Sequence, residues 1–162
     1  MQKILVANRG EIALRIMRTI KKMGISTVAV YSAADRDAPH VRFADEAVLL
    51  GPGPSSQSYL LQDKIVEIAR KHGVDGIHPG YGFLSENAAF AQKVVDNGMI
   101  FIGPGPQAIK TMGSKLAAKE AVKKYDIPQV PGVDHAIDSV EEALQVARTI
   151  GFPVLIKASA GG

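Results

Sequence analysis

Strand-like apolar segments alternate with helix-like segments over residues 1–103, and no other feature of this sequence restricts the fold as strongly. The short apolar segments are typical of buried strands, and the longer ones carry apolar residues at helical spacing. Strands that alternate with helices cannot pair as hairpins, because each helical connection returns the chain in the parallel direction. The sequence therefore predicts an α/β fold built on a parallel sheet.

Five strands and four helices are predicted in this part of the chain. The strands lie at 3–7, 25–31, 47–50, 74–78 and 99–102, and the helices at 11–23, 40–45, 59–71 and from Ser85 to Gly98. Ser58 and Ser85 are the predicted caps of the last two helices. Two helices have predicted inward residues, which are Ile12, Ile16, Ile20 and Met23 in the first and Phe90, Ala91, Val94 and Val95 in the last. The predicted architecture is a Rossmann-like parallel five-stranded sheet with helices on both faces.

The pattern changes after Gly103. Helices are predicted over 106–112 and 115–125, the second after a cap at Ser114, and an extended connector follows. Ser139 and Glu142 form a capping box for a helix whose inward residues are Val140, Ala143, Leu144 and Ala147. A last strand is predicted over 152–157. The predicted domains are 1–113 and 114–162, the second being the truncated start of another domain; the alternative is a natural carboxyl terminus with a frayed tail.

Composition excludes several classes of protein. The chain has 162 residues, no cysteine and a net charge of only +3. Disulfides and thiolate metal sites are excluded, and no basic block with interleaved aromatics indicates a nucleic-acid partner. No apolar run has the length of a membrane span, and no signal peptide is recognisable. A cytoplasmic location fits these observations.

The turn after the first strand argues against a nicotinamide cofactor. A dinucleotide-binding turn has the pattern Gly-x-Gly-x-x-Gly, whereas residues 8–13 are Asn-Arg-Gly-Glu-Ile-Ala. Glu11 would repel a pyrophosphate at the amino end of the first helix, where it interacts favourably with the helix dipole.

The glycine-rich segment His78-Pro-Gly-Tyr-Gly-Phe-Leu-Ser-Glu-Asn87 follows the fourth strand directly. Gly80 and Gly82 would let the backbone approach a flat polar ligand, and Tyr81, between the two glycines, would point outward and pack against that ligand. The carboxyl end of a strand is where open α/β sheets bind ligands. The alternative is an ordinary turn with a partly buried tyrosine. For His78 we favour a hydrogen-bonded histidine over a metal ligand, because no other ligand stands near it at metal-binding spacing.

Two lysines are candidates for binding an anion. Lys157 follows an apolar segment in a strand that should be half or fully buried, directly before a glycine-rich end, which suits a phosphate site. Lys115 lies at a helix start after Gly113 and Ser114. The alternatives are a side chain that reaches water from an edge position and a solvated stripe of Lys115, Lys119 and Lys123.

Several motifs together resemble the biotin carboxylase family, the ATP-dependent components of acetyl-CoA, propionyl-CoA and pyruvate carboxylases. They are Ala7-Asn-Arg-Gly-Glu-Ile-Ala-Leu-Arg15, Ser32-Ala-Ala-Asp-Arg36, the segment from His78 to Asn87, Phe101-Ile-Gly-Pro104 and Ile156-Lys-Ala-Ser159. The resemblance covers the whole chain. It implies an ATP-grasp ligase that activates bicarbonate with ATP and Mg²⁺ and carboxylates biotin on a carrier protein or domain, with a carboxyltransferase subunit as a further partner.

The resemblance also implies roles for particular residues. Lys115, Lys157, Gly161 and Gly162 match ATP-binding positions, Tyr81 and Gly82 match the biotin pocket, and Arg15 and Arg18 match a homodimer interface. Lys22 stands where some members carry an acid, which affects the ion pairing of that interface. The metal-binding glutamates, the bicarbonate site and the catalytic base have no match in these residues, so this polypeptide alone is expected to be inactive.

Three other functions stay open at this point. One is another ATP-grasp ligase with the same front domain, such as a carbamoyl-phosphate or purine-pathway enzyme, although the Tyr81 segment suits a biotin pocket. A non-catalytic assembly module would associate through the first helix. Tight NAD binding would indicate an oxidoreductase.

Overall fold

The computed structural model describes residues 1–123, 125, 127–128, 132–133 and 135–157. The chain divides into two compact units, Met1–Gln107 and Ala108–Gly162. The first unit contains a five-stranded sheet, whose strands are β1 (Lys3–Val6), β2 (Ser26–Ser32), β3 (Glu46–Gly51), β4 (Gly76–His78) and β5 (Ile100–Phe101).

All neighbouring strands of this sheet are parallel, in the order β3-β2-β1-β4-β5. The helices of this unit are α1 (Gly10–Lys22), α2 (Pro39–Phe43), α3 (Gln62–Lys71) and α4 (Ala88–Asp96), with short 3-10 helices at Ala33–Asp35 and Ser55–Gln57. These pairings confirm the predicted parallel sheet. A helix lies in each connection between consecutive strands and returns the chain in the parallel direction.

Both faces of the sheet are covered. Ile4 and Val6 pack with α1 in one cluster of buried residues. Leu5 points to the opposite face, since side chains alternate along a strand, and it is fully buried as well. The aromatic rings of Phe90 on α4 and Phe101 on β5 meet edge to face, with their centroids 6.1 Å apart. Burial on both faces explains why the central strand β1 reads as a continuous apolar run.

The predicted inward faces of α1 and α4 need correction at their carboxyl-terminal ends. Ile16 and Ile20 are buried as predicted, but Met23 follows α1 and is 67% exposed, while Met17 is fully buried. Val95 on α4 is 47% exposed. Apolar spacing selects the buried stripe of a helix, but Met23 lies beyond the end of α1, and Val95 lies beside the stripe that contains buried Val94.

Two predicted caps are wrong. Tyr59 does not begin α3: it is fully buried, α3 begins at Gln62, and the Ser58 hydroxyl donates to the carbonyl of Pro54 instead. Ser85 does not cap α4, because the side chain of Asn87 accepts the hydrogen bond from the Phe90 amide at 2.8 Å. Serine and asparagine are similar caps, so local preference alone did not distinguish positions two residues apart.

The second unit contains α6 (Lys115–Lys123) and α7 (Val140–Ile150), and α5 (Pro106–Gly113) spans the division between the units. The predicted capping box is confirmed in part, because the Ser139 hydroxyl accepts from the Glu142 amide at 3.1 Å, and the Glu142 carboxylate accepts from the amide of Asp138. Of the inward residues predicted on α7, Ala147 is buried and Val140 and Leu144 are exposed.

Residues 152–157 do not form the predicted strand. Leu155 and Ile156 are 79% and 84% exposed, and Lys157 is exposed rather than half or fully buried. A strand needs a neighbour that completes its backbone hydrogen bonds. Within the described part of the chain, the sheet has no strand paired with this segment.

Candidate functional site

The order in which the chain adds strands to the sheet reverses between β1 and β4. From β1 the chain builds β2 and β3 on one side, and then returns to build β4 and β5 on the other. Val6 lies beside His78 in the register of these two neighbours, so the segments that follow both strands start side by side. Open α/β sheets bind ligands at such a point, outside the carboxyl ends of the strands.

Asn8 connects the two segments. Its side chain is buried, and its Nδ2 donates to the carbonyl oxygens of Pro79 at 2.7 Å and Tyr81 at 2.9 Å. Its Oδ1 accepts from the amide of Arg9 at 2.9 Å. The amide group thus has a partner at each end, which satisfies a buried polar side chain and ties the segment after β4 to the segment after β1.

Gly80 is required by this contact. Its φ is +68°, and a Cβ at this position would lie 2.6 Å from Asn8 Nδ2. The sequence suggests a glycine that lets the backbone approach a ligand, whereas in the structure Gly80 lets the backbone approach Asn8. Glycine is needed here for both space and conformation.

Tyr81 and Gly82 form the outer part of this turn. The Tyr81 side chain is 65% exposed, which agrees with the outward orientation predicted from its position between two glycines. Gly82 has a φ of +66° and open space where a Cβ would stand. An exposed ring beside an open glycine can receive a flat ligand, and no side chain at residue 82 obstructs its approach.

Phe83 anchors the far end of the turn. Its ring stacks on the ring of buried Tyr59, with centroids 5.1 Å apart and an interplanar angle of 11°. The guanidinium of Arg9 lies 5.7 Å from the Tyr59 centroid and 5.6 Å from the Phe83 centroid. Both distances are within the range of cation–π attraction.

Asp35 completes the network on the side of β2. Its Oδ2 accepts from the hydroxyls of Ser32 at 2.6 Å and Tyr59 at 2.7 Å, and lies 3.6 Å from the Arg9 guanidinium. Burial works against the charge of Asp35, but the two hydroxyl bonds and Arg9 together lower its pKa. Burial and the bond to Asp35 raise the pKa of Tyr59 to about 12. The network therefore holds a carboxylate and a neutral phenol.

The surroundings of two histidines near this edge, His78 and His40, indicate a structural role for both. His78 Nδ1 accepts from the Gly80 amide at 3.0 Å, and burial lowers the pKa of His78, so the predicted hydrogen-bonded role is confirmed. His40 is fully buried, and burial lowers its pKa against the opposing effect of Asp35. In the described part of the chain, no three His, Cys, Asp or Glu side chains are arranged to hold a metal ion.

The predicted ATP-binding residues all lie in the second unit, and the structure describes only some of their atoms. Lys115 begins α6, as predicted, but its side chain lies outside the described part of the structure. Lys157 is the last described residue and is exposed. Gly161 and Gly162 lie outside the described residues, so their role stays a prediction.

Arg15 and Arg18 are exposed on α1, and Arg15 donates to the Thr19 hydroxyl at 2.7 Å. Lys22 is exposed at the end of the same helix. The three cations are therefore accessible to a partner molecule.

None of the helices described here combines the length and the apolar character that crossing a membrane requires.

Five side chains that organise the site had no role predicted from the sequence: Asn8, Arg9, Asp35, Tyr59 and Phe83. A signal existed for two of them, because Asn8 and Arg9 directly follow a predicted buried strand. Tyr59 offered no such signal, since its position also suits the first turn of a helix.

The fold and this edge define the class of protein as an α/β protein with a parallel sheet and a switch point between β1 and β4, where such sheets bind ligands. Residues 1–109 match the family described as "Biotin carboxylase, N-terminal domain". Residues 114–162 match the family described as "Carbamoyl-phosphate synthase L chain, ATP binding domain". The chain belongs to the biotin carboxylase family.

Individual relatives agree with this assignment. The biotin carboxylase of Halalkalibacterium halodurans is 55% identical over 99% of this chain and 36% of the relative. The mitochondrial propionyl-CoA carboxylase alpha chain of Homo sapiens is 53% identical over 99% of this chain and 22% of the relative. The chain thus spans about a third or less of the length of these curated relatives.

Solved structures share the fold. The biotin carboxylase domain dimer of Hydrogenobacter thermophilus 2-oxoglutarate carboxylase, in complex with MgADP, ADP and bicarbonate, is 49% identical with a TM-score of 0.94, over 99% of this chain and 35% of that chain. The biotin carboxylase of Campylobacter jejuni, in a β-γ-ATP complex, is 45% identical with a TM-score of 0.94, over 99% of this chain and 36% of that chain.

Proposed function

We propose that the protein containing this chain is an ATP- and bicarbonate-dependent ligase that carboxylates biotin on a carrier protein or domain. The observation that carries the proposal is the turn of Tyr81 and Gly82, which stands open at the switch point of a chain of the biotin carboxylase family. Tyr81 would pack against the ring system of biotin, and Gly82 would let that ring approach the backbone.

The nucleotide would be bound by residues 114–162, which we propose as a separate domain after residue 113. The exposed ammonium group of Lys157 suits a phosphate, since lysine meets an anion as a point charge. Lys115, Gly161 and Gly162 are proposed on the resemblance alone. ATP would supply the activation of bicarbonate.

Magnesium has no ligand set in the described part of this chain, where no cluster of acidic or histidine side chains is found. We therefore assign none of these residues to the metal. Mg²⁺ would accompany ATP, as in most phosphoryl transfers.

The proposed partners follow from the family. The carrier would bring biotin to residues 79–85, called here the Tyr81 turn. A carboxyltransferase subunit would use the carboxylated biotin, and a second copy would bind at Arg15 and Arg18 in a homodimer. The relative from Hydrogenobacter thermophilus is described as a dimer, which supports the last of these. The proposed location is the cytoplasm.

The proposal is tested with Tyr81→Ala and Lys157→Gln in the intact protein. We expect Tyr81→Ala to raise the KM for free biotin by about 10-fold, corresponding to about 1.4 kcal/mol of lost binding, with little change in the KM for ATP. Lys157→Gln should raise the KM for ATP instead.

Two control variants accompany this measurement. Tyr81→Phe keeps the aromatic ring, and Lys64→Gln removes an exposed lysine from α3, so both should behave like the wild type. Bicarbonate-dependent ATP cleavage without any response to biotin would contradict the proposal.

A second candidate is another ATP-grasp ligase, because residues 114–162 match the ATP-binding domain of carbamoyl-phosphate synthase. Hydrogen exchange of the intact protein separates the two. Biotin should slow amide exchange in residues 79–83 if this is a biotin carboxylase, and should leave it unchanged in the other case.

A further inference from the structure

The backbone of the Tyr81 turn adopts a conformation that needs external support. Gly80, Gly82 and Phe83 all have positive φ, at 68°, 66° and 44°. Glycine adopts positive φ at little cost, but for Phe83 this conformation is an outlier. Something outside the turn must hold it in place.

Two contacts hold the turn, one on each side of Tyr81. On the side that follows Tyr81 in the chain, the Phe83 ring stacks on buried Tyr59. On the other side, Asn8 donates to the carbonyls of Pro79 and of Tyr81 itself. The stack fixes a side chain, whereas the two bonds from Asn8 fix the backbone of Tyr81 itself.

Asn8 is not placed to contact a ligand. Its side chain is buried at 3% exposure, and its Nδ2 donates to two backbone carbonyls. Its Oδ1 is also used, by the amide of Arg9. A side chain with this arrangement acts on a ligand only through the backbone that it holds.

We propose that Asn8 is a positioning residue for the Tyr81 turn, which sets the height and direction of the Tyr81 ring for a flat ligand. The proposal rests on the proposed function where the ligand is biotin. It extends that function to a residue in the segment after β1, and it explains why position 80 requires glycine.

The first measurement does not depend on the ligand. Asn8→Asp keeps the size of the side chain but replaces both N–H donors by a carboxylate that faces two carbonyl oxygens. We expect amide exchange in residues 79–85 of the intact protein to become about 10-fold faster or more. The control is Thr27→Val. Thr27 is a buried polar residue near the start of β2, and its hydroxyl donates to Asp45. This variant should leave the exchange of residues 79–85 unchanged.

The second measurement is the kinetic split. In the intact protein, Asn8→Ala should raise the KM for free biotin by about 10-fold, because two hydrogen bonds to the turn are lost. The KM for ATP should change less than about 2-fold. A general loss of structure would change both constants, as would a merely structural role.

A cross-check uses Gly80→Ala, whose added Cβ would meet Asn8 Nδ2. Asn8→Ala removes that nitrogen, so the double variant should show a smaller rise in the KM for biotin than the product of the two single effects. Simple multiplication of the effects would overturn the proposed contact.

The outcomes separate this inference from the proposed function. If the wild type does not carboxylate biotin but Asn8→Asp accelerates exchange of the turn, the proposed function fails and the positioning of Tyr81 stands. If exchange in residues 79–85 is the same in wild type and Asn8→Asp, the inference is wrong whatever the activity. Faster exchange with an unchanged KM for biotin would overturn the role toward biotin.

Discussion

Phe83 carries most of the strain in the candidate site. A non-glycine residue with a φ of 44° costs on the order of 1–3 kcal/mol. The stack on Tyr59 and the approach of Arg9 oppose that cost. Aromatic pairs contribute about 0.5–1.5 kcal/mol beyond their burial. The stabilisation from the stack and the cost of the backbone strain are therefore of similar size.

Phe83→Ala and Phe83→Gly separate these two effects. Both variants lose the stack, but only glycine also relieves the backbone strain. We therefore expect Phe83→Ala to be less stable than Phe83→Gly by about 1 kcal/mol, measured as the urea dependence of unfolding. An alanine variant more stable than the glycine variant would show that the backbone at this position is not strained.

Asp45 provides a pH-dependent contribution at the residue scale. The bond from Lys21, followed by those from the amide and hydroxyl of Thr27, lowers the pKa of Asp45 to about 2. A carboxyl group with a lowered folded-state pKa stabilises the fold above its unfolded pKa near 4. That contribution is lost as pH falls from about 4 to about 2.

The variant Asp45→Asn tests this sign. The wild type should be more stable than the variant at pH 6, and the difference should shrink as pH falls toward 2. The effect should be modest, because Asp45 is partly exposed and solvent screens the pair with Lys21. Unfolding free energies measured across this range would contradict the assignment if the difference stayed constant.

At the scale of elements, helix starts are decided by which polar side chain can reach the free amides. Asn87 reaches the Phe90 amide, and Ser139 reaches that of Glu142. Ser85 is a good cap by composition, but its own amide donates to the carbonyl of Gly82 within the turn. The Tyr81 turn therefore extends to Ser85, and α4 begins after it.

Substitution of the two candidate caps of α4 checks this assignment. Asn87→Ala should lower the free energy of unfolding by about 1 kcal/mol, the usual cost of losing a cap. Ser85→Ala, as the matched control, should change it by less than about 0.5 kcal/mol. Equal losses in the two variants would restore Ser85 as a cap.

At the scale of the whole molecule, an exposed cationic face on α1 is available for a second copy. Arg15 and Arg18 are both exposed there. In the proposed homodimer, reversing their charge with Arg15→Glu and Arg18→Glu should shift the intact protein to a monomer, measured as mass in solution. Lys64→Glu with Arg70→Glu makes the same change of charge on α3 and should leave the mass unchanged. A dimer that survives the first pair would remove these arginines from the interface.

Residues in the sheet and in the site were predictable to different degrees. The segments of β1 and β2 were recognisable because strands buried on both faces are continuously apolar. The contact of Asn8 with Pro79 and Tyr81 was not, because it joins residues more than seventy positions apart. The strand over 152–157 was predicted from local preference, yet a strand is defined by its neighbour.

The sequence by itself determined the class of fold, the parallel direction of the strands, the glycines of the turn and the outward position of Tyr81. These follow from local spacing and from the conformational freedom of glycine. Tertiary structure decided that β1 and β4 are neighbours, that Asn8 supports the Tyr81 turn and that Tyr59 is a core residue instead of a helical one. Such facts depend on contacts between distant segments, and local preferences carry no information on which segments meet.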